Sequence, residues 1–138
     1  MVAAGEATKI VGERSTLRRG RILVVDDDPI VAMSLRRLLA SEHDVRAYHS
    51  GSDALNALIE DDAIDLILCD ISMEGMDGID LYRQLAEQRP KLLDRIVFLT
   101  GGAFTSTSQR FLETISNPRL EKPIAMSELR EFVRARVG

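Results

Sequence analysis

Ile22-Leu23-Val24-Val25-Asp26-Asp27-Asp28-Pro29 is the stretch on which the fold turns. Four apolar residues in a row, two of them β-branched valines and one an isoleucine, read as a strand buried on both faces. Aspartate is poor in strands and Pro29 suits the first position of a helix, so the carboxylates fall just past the strand's carboxyl end. Asp28 is explained as the N-cap of that helix. Asp26 and Asp27 then remain. They are either solvated neighbours or part of a site in which like charges are held together by a hard divalent cation.

Working outward, the pattern alternates from Arg21. Strands are expected at Arg21–Asp26, Val45–Tyr48, Leu66–Cys69, Ile96–Leu99 and, weakly, Leu120-Glu121. Helices are expected at Pro29–Ala40, Ser52–Glu60, Gly78–Gln88, Thr105–Ile115 and Met126–Arg136. Their inward faces are expected to carry Val31, Leu35, Leu38 and Leu39 in the first helix and Leu55, Leu58 and Ile59 in the second. Ile79, Tyr82 and Leu85 do so in the third, and Leu129, Phe132 and Val133 in the last. Strands alternating with helices specify βαβ units, hence an α/β domain with a parallel sheet covered on both faces. Residues 1–20 are small, polar and aperiodic, and are expected to form a flexible arm or linker before a domain at 21–138.

Composition narrows the function classes. The 138 residues suit one domain with its own core. The formal charge is -4; the first 20 residues hold four bases (Lys9, Arg14, Arg18, Arg19) and two acids (Glu6, Glu13), leaving 14 - 20 = -6 from Arg21 onward. An acidic body argues against direct nucleic acid binding. No apolar stretch approaches a membrane span or a signal-peptide core, and the single Cys69 fits a reducing cytoplasm, so a cytoplasmic chain without membrane insertion is expected. Cys69 reads as a small core residue. His43 and His49 read as surface or half-buried residues away from the acidic edge, neither of them a phosphodonor. No feature specifies an oligomeric state.

In an open parallel sheet, ligands bind beyond the carboxyl ends of the strands. The residues expected there are Asp26 and Asp27, Asp70, Thr100 and Lys122. Acids, a hydroxyl and an amine converging on one edge suit phosphoryl chemistry. Taken singly, Thr100 reads as an ordinary strand-end residue and Lys122 as a solvated lysine.

Together these residues carry a family resemblance. ILVVDDDP at 22–29, LILCDISMEGMDGIDL at 66–81, IVFLTGG at 96–102 and EKP at 121–123 resemble the receiver domains of two-component signalling. The resemblance covers about residues 21–137. It implies a flavodoxin-like, doubly wound, five-stranded sheet of order 2-1-3-4-5. It implies that Asp70 accepts a phosphoryl group from a histidine kinase or a histidine phosphotransfer protein. It implies that Asp26, Asp27, Asp70 and the backbone carbonyl of Ser72 hold Mg²⁺, and that Thr100 and Lys122 engage the phosphoryl oxygens. The isolated domain is then not an enzyme, although it assists its own phosphorylation and dephosphorylation. A cis peptide before Pro123 is also common in the family.

Three departures stand out. Glu74 occupies a position where proline is common. Arg119 occupies the place of an aromatic that usually couples the threonine to the output face. Gly102 and Ser72, at positions that influence water access to the acyl phosphate, are both small. With the last helix ending near Gly138, the resemblance admits a single-domain regulator or the receiver of a hybrid sensor histidine kinase. The arm before Arg21 and the Leu-Glu-Lys-Pro run at 120–123 favour the second. Two rivals stay open. One is an aspartate-nucleophile hydrolase of the haloacid-dehalogenase type, with Asp26 as nucleophile and Asp28 as acid/base. The other is a receiver-like module that binds a partner without being phosphorylated.

Overall fold

A computed structural model describes residues 18–101 and 105–137 of the chain. Five strands form first: β1 Arg21–Val25, β2 Asp44–Tyr48, β3 Leu66–Asp70, β4 Ile96–Thr100 and β5 Arg119–Glu121. All pair in parallel, in the order β2-β1-β3-β4-β5, so β1 is flanked on both sides and the chain reverses its direction of winding there. This is the flavodoxin-like sheet expected from the sequence.

Alternation along each strand divides the core in two. Leu23, Val25, Ile67, Cys69, Ile96 and Phe98 face α2 Gly51–Glu60, α3 Gly78–Gln88 and α4 Ser106–Glu113. Ile22, Val24, Leu66, Leu68, Val97 and Leu99 face α1 Pro29–Ala40 and α5 Met126–Val137. The continuous apolar runs therefore feed both layers, as a sheet covered on both faces requires. On the first face Tyr82, Phe98 and Phe111 form an aromatic cluster, with Tyr82 and Phe111 edge-to-face at 5.2 Å. It joins α3, β4 and α4.

Helix starts follow local chemistry. Asp28 caps α1 by accepting from the Ile30 amide, with Pro29 opening the helix. Asp77 and Asp80 form a reciprocal capping box at the start of α3. Thr105 is a cap rather than the first helical residue of α4, because its hydroxyl accepts from the Ser108 amide. The inward faces differ in part from expectation. Ala32 and Leu39 are the buried residues of α1, Leu81 joins Ile79 and Leu85 in α3, and Tyr82 is half-buried. A 3₁₀ helix at Pro90–Arg95, unforeseen in the sequence, buries Leu92.

Of the segment expected as an arm, residues 1–17 lie outside the described residues. Residues 18–20 contact the domain. Arg18 donates to the Val137 carbonyl at 3.0 Å and pairs with Asp65, and the Gly20 amide donates to His43 Nδ1 at 3.0 Å. His43 is thus a correction: it is 2% exposed, not a surface or half-buried residue. Its burial follows from the Gly20 contact, which a sequence pattern does not contain. His49 is exposed.

Burial lowers the His43 pKa below its ordinary 6.5; Glu42 and Asp65 pull it up, Arg19 and Arg134 down. Protonation also removes the acceptor that Gly20 uses. The unfolded chain therefore binds this proton at higher pH than the folded one. Stability from this source is full above about pH 6.5 and is lost as pH falls below it. Urea unfolding between about pH 7.5 and 5.5 should show a loss that His43→Asn, which keeps an acceptor without titrating, makes shallower. Equal slopes in both proteins would assign the loss to another group.

Candidate functional site

The carboxyl edge of the sheet gathers the residues singled out from the sequence. Asp26 follows β1 and is 1% exposed. It is held twice: Oδ1 accepts from the Asp28 amide at 2.9 Å and Oδ2 from the Lys122 ammonium at 2.8 Å. Asp70 closes β3 at 7% exposure, with Oδ1 accepting from the Ser72 amide at 3.2 Å and Oδ2 lying 3.3 Å from Lys122 Nζ. Asp27 is exposed, and its Oδ2 accepts from the Glu74 amide at 3.2 Å. One carboxylate oxygen from each of Asp26, Asp27 and Asp70 lies within 4.8 Å of the others.

Lys122 reaches this edge from the end of β5, where its own amide donates to the Thr100 carbonyl and its peptide bond to Pro123 is cis. Thr100 closes β4 at 4% exposure; its hydroxyl lies 3.5 Å from the Leu120 carbonyl, across the β4–β5 step. Asp26, Asp70 and Lys122 therefore meet directly, Asp27 stands within 4.8 Å of the two acids, and Thr100 points its hydroxyl at the neighbouring strand. Ser72 contributes an amide to Asp70 and lines the cleft above it. That cleft, about 550 Å³, also has Asp28, Val31, Gly101, Pro123 and Ile124 in its wall.

Packing fixes this edge from beneath. A Cβ at Gly78 would stand 2.9 Å from both the Asp70 carbonyl oxygen and Ile71 Cα, so only glycine lets α3 approach the end of β3 this closely. The Gly78 amide donates to the Ile71 carbonyl and closes the loop between them.

The charges respond to this crowding. Burial pushes the Asp70 carboxyl up from its ordinary value, and the Lys122 ammonium and the Ser72 amide pull it back. Burial lowers Lys122, but its hydrogen bond to Asp26 and the charges of Asp70 and Asp26 outweigh that and hold the ammonium above its ordinary value. Lys122 is thus a firmly charged point donor. Burial pushes the Cys69 thiol well up, so it is an inert core residue.

Three carboxylates against one ammonium leave a formal charge of 3 - 1 = 2 negative units at the edge. The donors are all hard oxygens, and Asp27 is open to solvent. That set fits a small divalent cation that keeps part of its water shell.

The family model described as the response regulator receiver domain matches residues 22–134. The chain belongs to this family. Among curated relatives of the receiver, the response regulator MprA of Mycobacterium avium is 37% identical over 116 residues, 83% of this chain and 50% of the relative. The sensor histidine kinase RcsC of Salmonella typhi is 37% identical over 118 residues, 80% of this chain and 11% of the kinase. The chain thus spans about half of one kind of relative and a small part of the other. The receiver domain of Francisella response regulator 1452 is 26% identical, with a TM-score of 0.69 over 86% of this chain and 97% of that one. This chain is a receiver domain of two-component signalling. Among its described residues no helix is long and apolar enough to cross a membrane.

Some contributors to the receiver's edge carry no signal in the sequence. The Ser72 and Glu74 amides are backbone groups, and any non-proline residue supplies one. Gly78 does leave a trace, as a glycine directly after an N-cap aspartate.

Removing one partner of a buried ion pair strands the other. Lys122→Met should lower stability in metal-free buffer by about 2–3 kcal/mol, somewhat below a fully buried case because the lysine is partly exposed. Urea unfolding measures it. A loss under about 0.5 kcal/mol, typical of surface pairs, would mean that Asp26 does not depend on the ammonium.

Proposed function

We propose that Asp70 is the phosphoacceptor of this receiver. The observation that carries the reading is the Asp70 carboxylate at the mouth of the edge, within 3.3 Å of a charged lysine and beside two further aspartates. In the transfer, an Asp70 oxygen attacks phosphorus and an acyl phosphate forms. The nitrogen–phosphorus bond of the donor phosphohistidine breaks, its electron pair staying on the imidazole. Asp70 needs no general base, since a carboxylate is ionised near neutral pH. Positioning and charge stabilisation dominate such transfers. Lys122 holds an ammonium against one phosphoryl oxygen. Thr100 turns its hydroxyl from the Leu120 carbonyl toward another.

Asp26, Asp27, Asp70 and the Ser72 carbonyl are the residues we assign to Mg²⁺. Held by these residues, the ion would supply positive charge that screens the repulsion between incoming phosphate and acceptor. The domain thereby assists its own phosphorylation and dephosphorylation without a dedicated catalytic base.

The hydrolase rival is disfavoured by Asp26. Its oxygens are held at 2.9 and 2.8 Å, more tightly than those of Asp70 at 3.2 and 3.3 Å, and its side chain is 1% exposed against 10% for Asp70, so Asp26 is the less accessible nucleophile. The intact set of Asp70, Thr100 and Lys122 at the strand ends argues against a binding-only module.

The partner we assign is a histidine kinase or histidine phosphotransfer protein, met in the cytoplasm. Relatives of both whole-protein types support a relay receiver: a response regulator and a sensor kinase. Arg119 is exposed on β5. A guanidinium is too hydrated to enter an apolar pocket cheaply, so the switch is carried by the segment after Thr100 and the start of α4. Of that segment, residues 102–104 lie outside the described residues.

Incubation with a small-molecule phosphodonor and Mg²⁺, followed by mass spectrometry, should place the phosphoryl group on Asp70. Asp70→Asn should abolish it while leaving the fold intact. Modification of another aspartate at the wild-type rate, or steady turnover of phosphate esters lost in Asp26→Asn, would reverse the assignment.

Mg²⁺ binding to the folded state should raise its stability by about 1.4 kcal/mol at ten times the dissociation constant. Asp27→Ala should show little of that rise in thermal melts. Equal responses would remove Asp27 from the ligand set.

A further inference from the structure

The loop from Ile71 to Gly78 touches two of the acidic side chains through its backbone. The Ser72 amide donates to Asp70 Oδ1 and, two residues on, the Glu74 amide donates to Asp27 Oδ2, both at 3.2 Å. The loop is held at both ends. The Gly78 amide returns to the Ile71 carbonyl, and Asp77 is locked into the capping box of α3. Between them Gly75 has φ +74, a left-handed turn that other residues rarely adopt. The direction of the Glu74 amide is therefore set by the fold.

Asp27 differs from its neighbours in being exposed. Asp26 and Asp70 are fixed by burial, an amide each and the shared lysine. For Asp27 the amide of Glu74 supplies a fixed contact from across the site, 47 positions away in sequence. It engages Oδ2, and one oxygen of Asp27 lies within 4.8 Å of an oxygen of Asp26 and of Asp70. Hydrogen-bond partners of this kind orient metal-binding carboxylates and commonly change affinity by ten- to a hundredfold.

We propose that the backbone amide of Glu74 is the positioning group for Asp27, and that its N–H, not the Glu74 carboxylate, sets the affinity of the acidic edge for Mg²⁺. This rests on the assignment of Mg²⁺ to Asp26, Asp27 and Asp70. A proline at 74 has no N–H to give, whereas alanine keeps the amide and removes only the charge.

The test is a calorimetric Mg²⁺ titration of the wild-type chain, Glu74→Pro and Glu74→Ala. Folding of each variant is checked by the amide NMR signals of β1 and β3. Glu74→Pro should raise the dissociation constant roughly five- to tenfold, the low end for such partners because this one is exposed. Glu74→Ala should stay within about twofold. As a second measurement, independent of the proline variant, hydrogen exchange of the Glu74 amide in the wild type should be slowed, and Asp27→Ala should release it. Wild-type affinity in a folded Glu74→Pro overturns the proposal. So does an equal loss in Glu74→Ala, which would assign the effect to the carboxylate. So does a Glu74 amide that exchanges equally fast in the wild type and in Asp27→Ala. Absence of Mg²⁺ binding by the wild type overturns the metal assignment itself, and is told apart because it precedes any comparison of variants.

Discussion

The ammonium of Lys122, set between the carboxylates of Asp26 and Asp70, is the contact on which the functional edge depends. It lets two acids stand side by side almost out of water. Without it the buried charge of Asp26 has only the Asp28 amide to answer it. The requirement runs back into the fold. Lys122 reaches the pair only because β5 lies next to β4, β4 next to β3, and β3 next to β1, so that four strands end on one line.

The same edge is poised rather than satisfied. Its net negative charge remains after the lysine is counted, and one of its three acids is open to solvent. Burial raises the proton affinity of Asp70 while the lysine restrains it. Burial and the lysine thus act on Asp70 in opposite directions. Thr100 lies one strand away, its hydroxyl making only a long contact with the Leu120 carbonyl.

Beneath the edge the structure is stiff where it must be. Gly78 brings α3 against the end of β3, and the aromatic cluster of Tyr82, Phe98 and Phe111 ties that helix to β4 and α4. The strand that ends in Thr100 also carries Phe98, which packs against Phe111 of α4. The opposite end of the domain is closed by Arg18 on the last carbonyl of α5 and by Gly20 on His43.

What the sequence by itself determined about this protein is the part governed by short-range chemistry. Apolar runs ending in acids, caps such as Asp28 and Asp77, and helical periodicity act over a few residues, and they were enough to read the strands, most helix starts and the acidic edge. Family motifs added the strand order and the candidate acceptor. The tertiary structure alone decided which polar groups meet. Lys122 and Asp26 are 96 positions apart, and nothing local to either selects the other. His43 read as a surface or half-buried residue, yet it is buried and accepts from the Gly20 amide. Leu81, not named among the inward residues of its helix, is buried with Ile79 and Leu85. The Glu74 amide is invisible in a one-letter code, because a backbone N–H acquires meaning only from the direction that Gly75 and the capped helix impose on it. The physical reason is the same in each case. Hydrophobic burial is roughly additive along a chain and leaves a periodic trace, whereas hydrogen bonds and charge pairs depend on distance and angle, which exist only once the chain has folded.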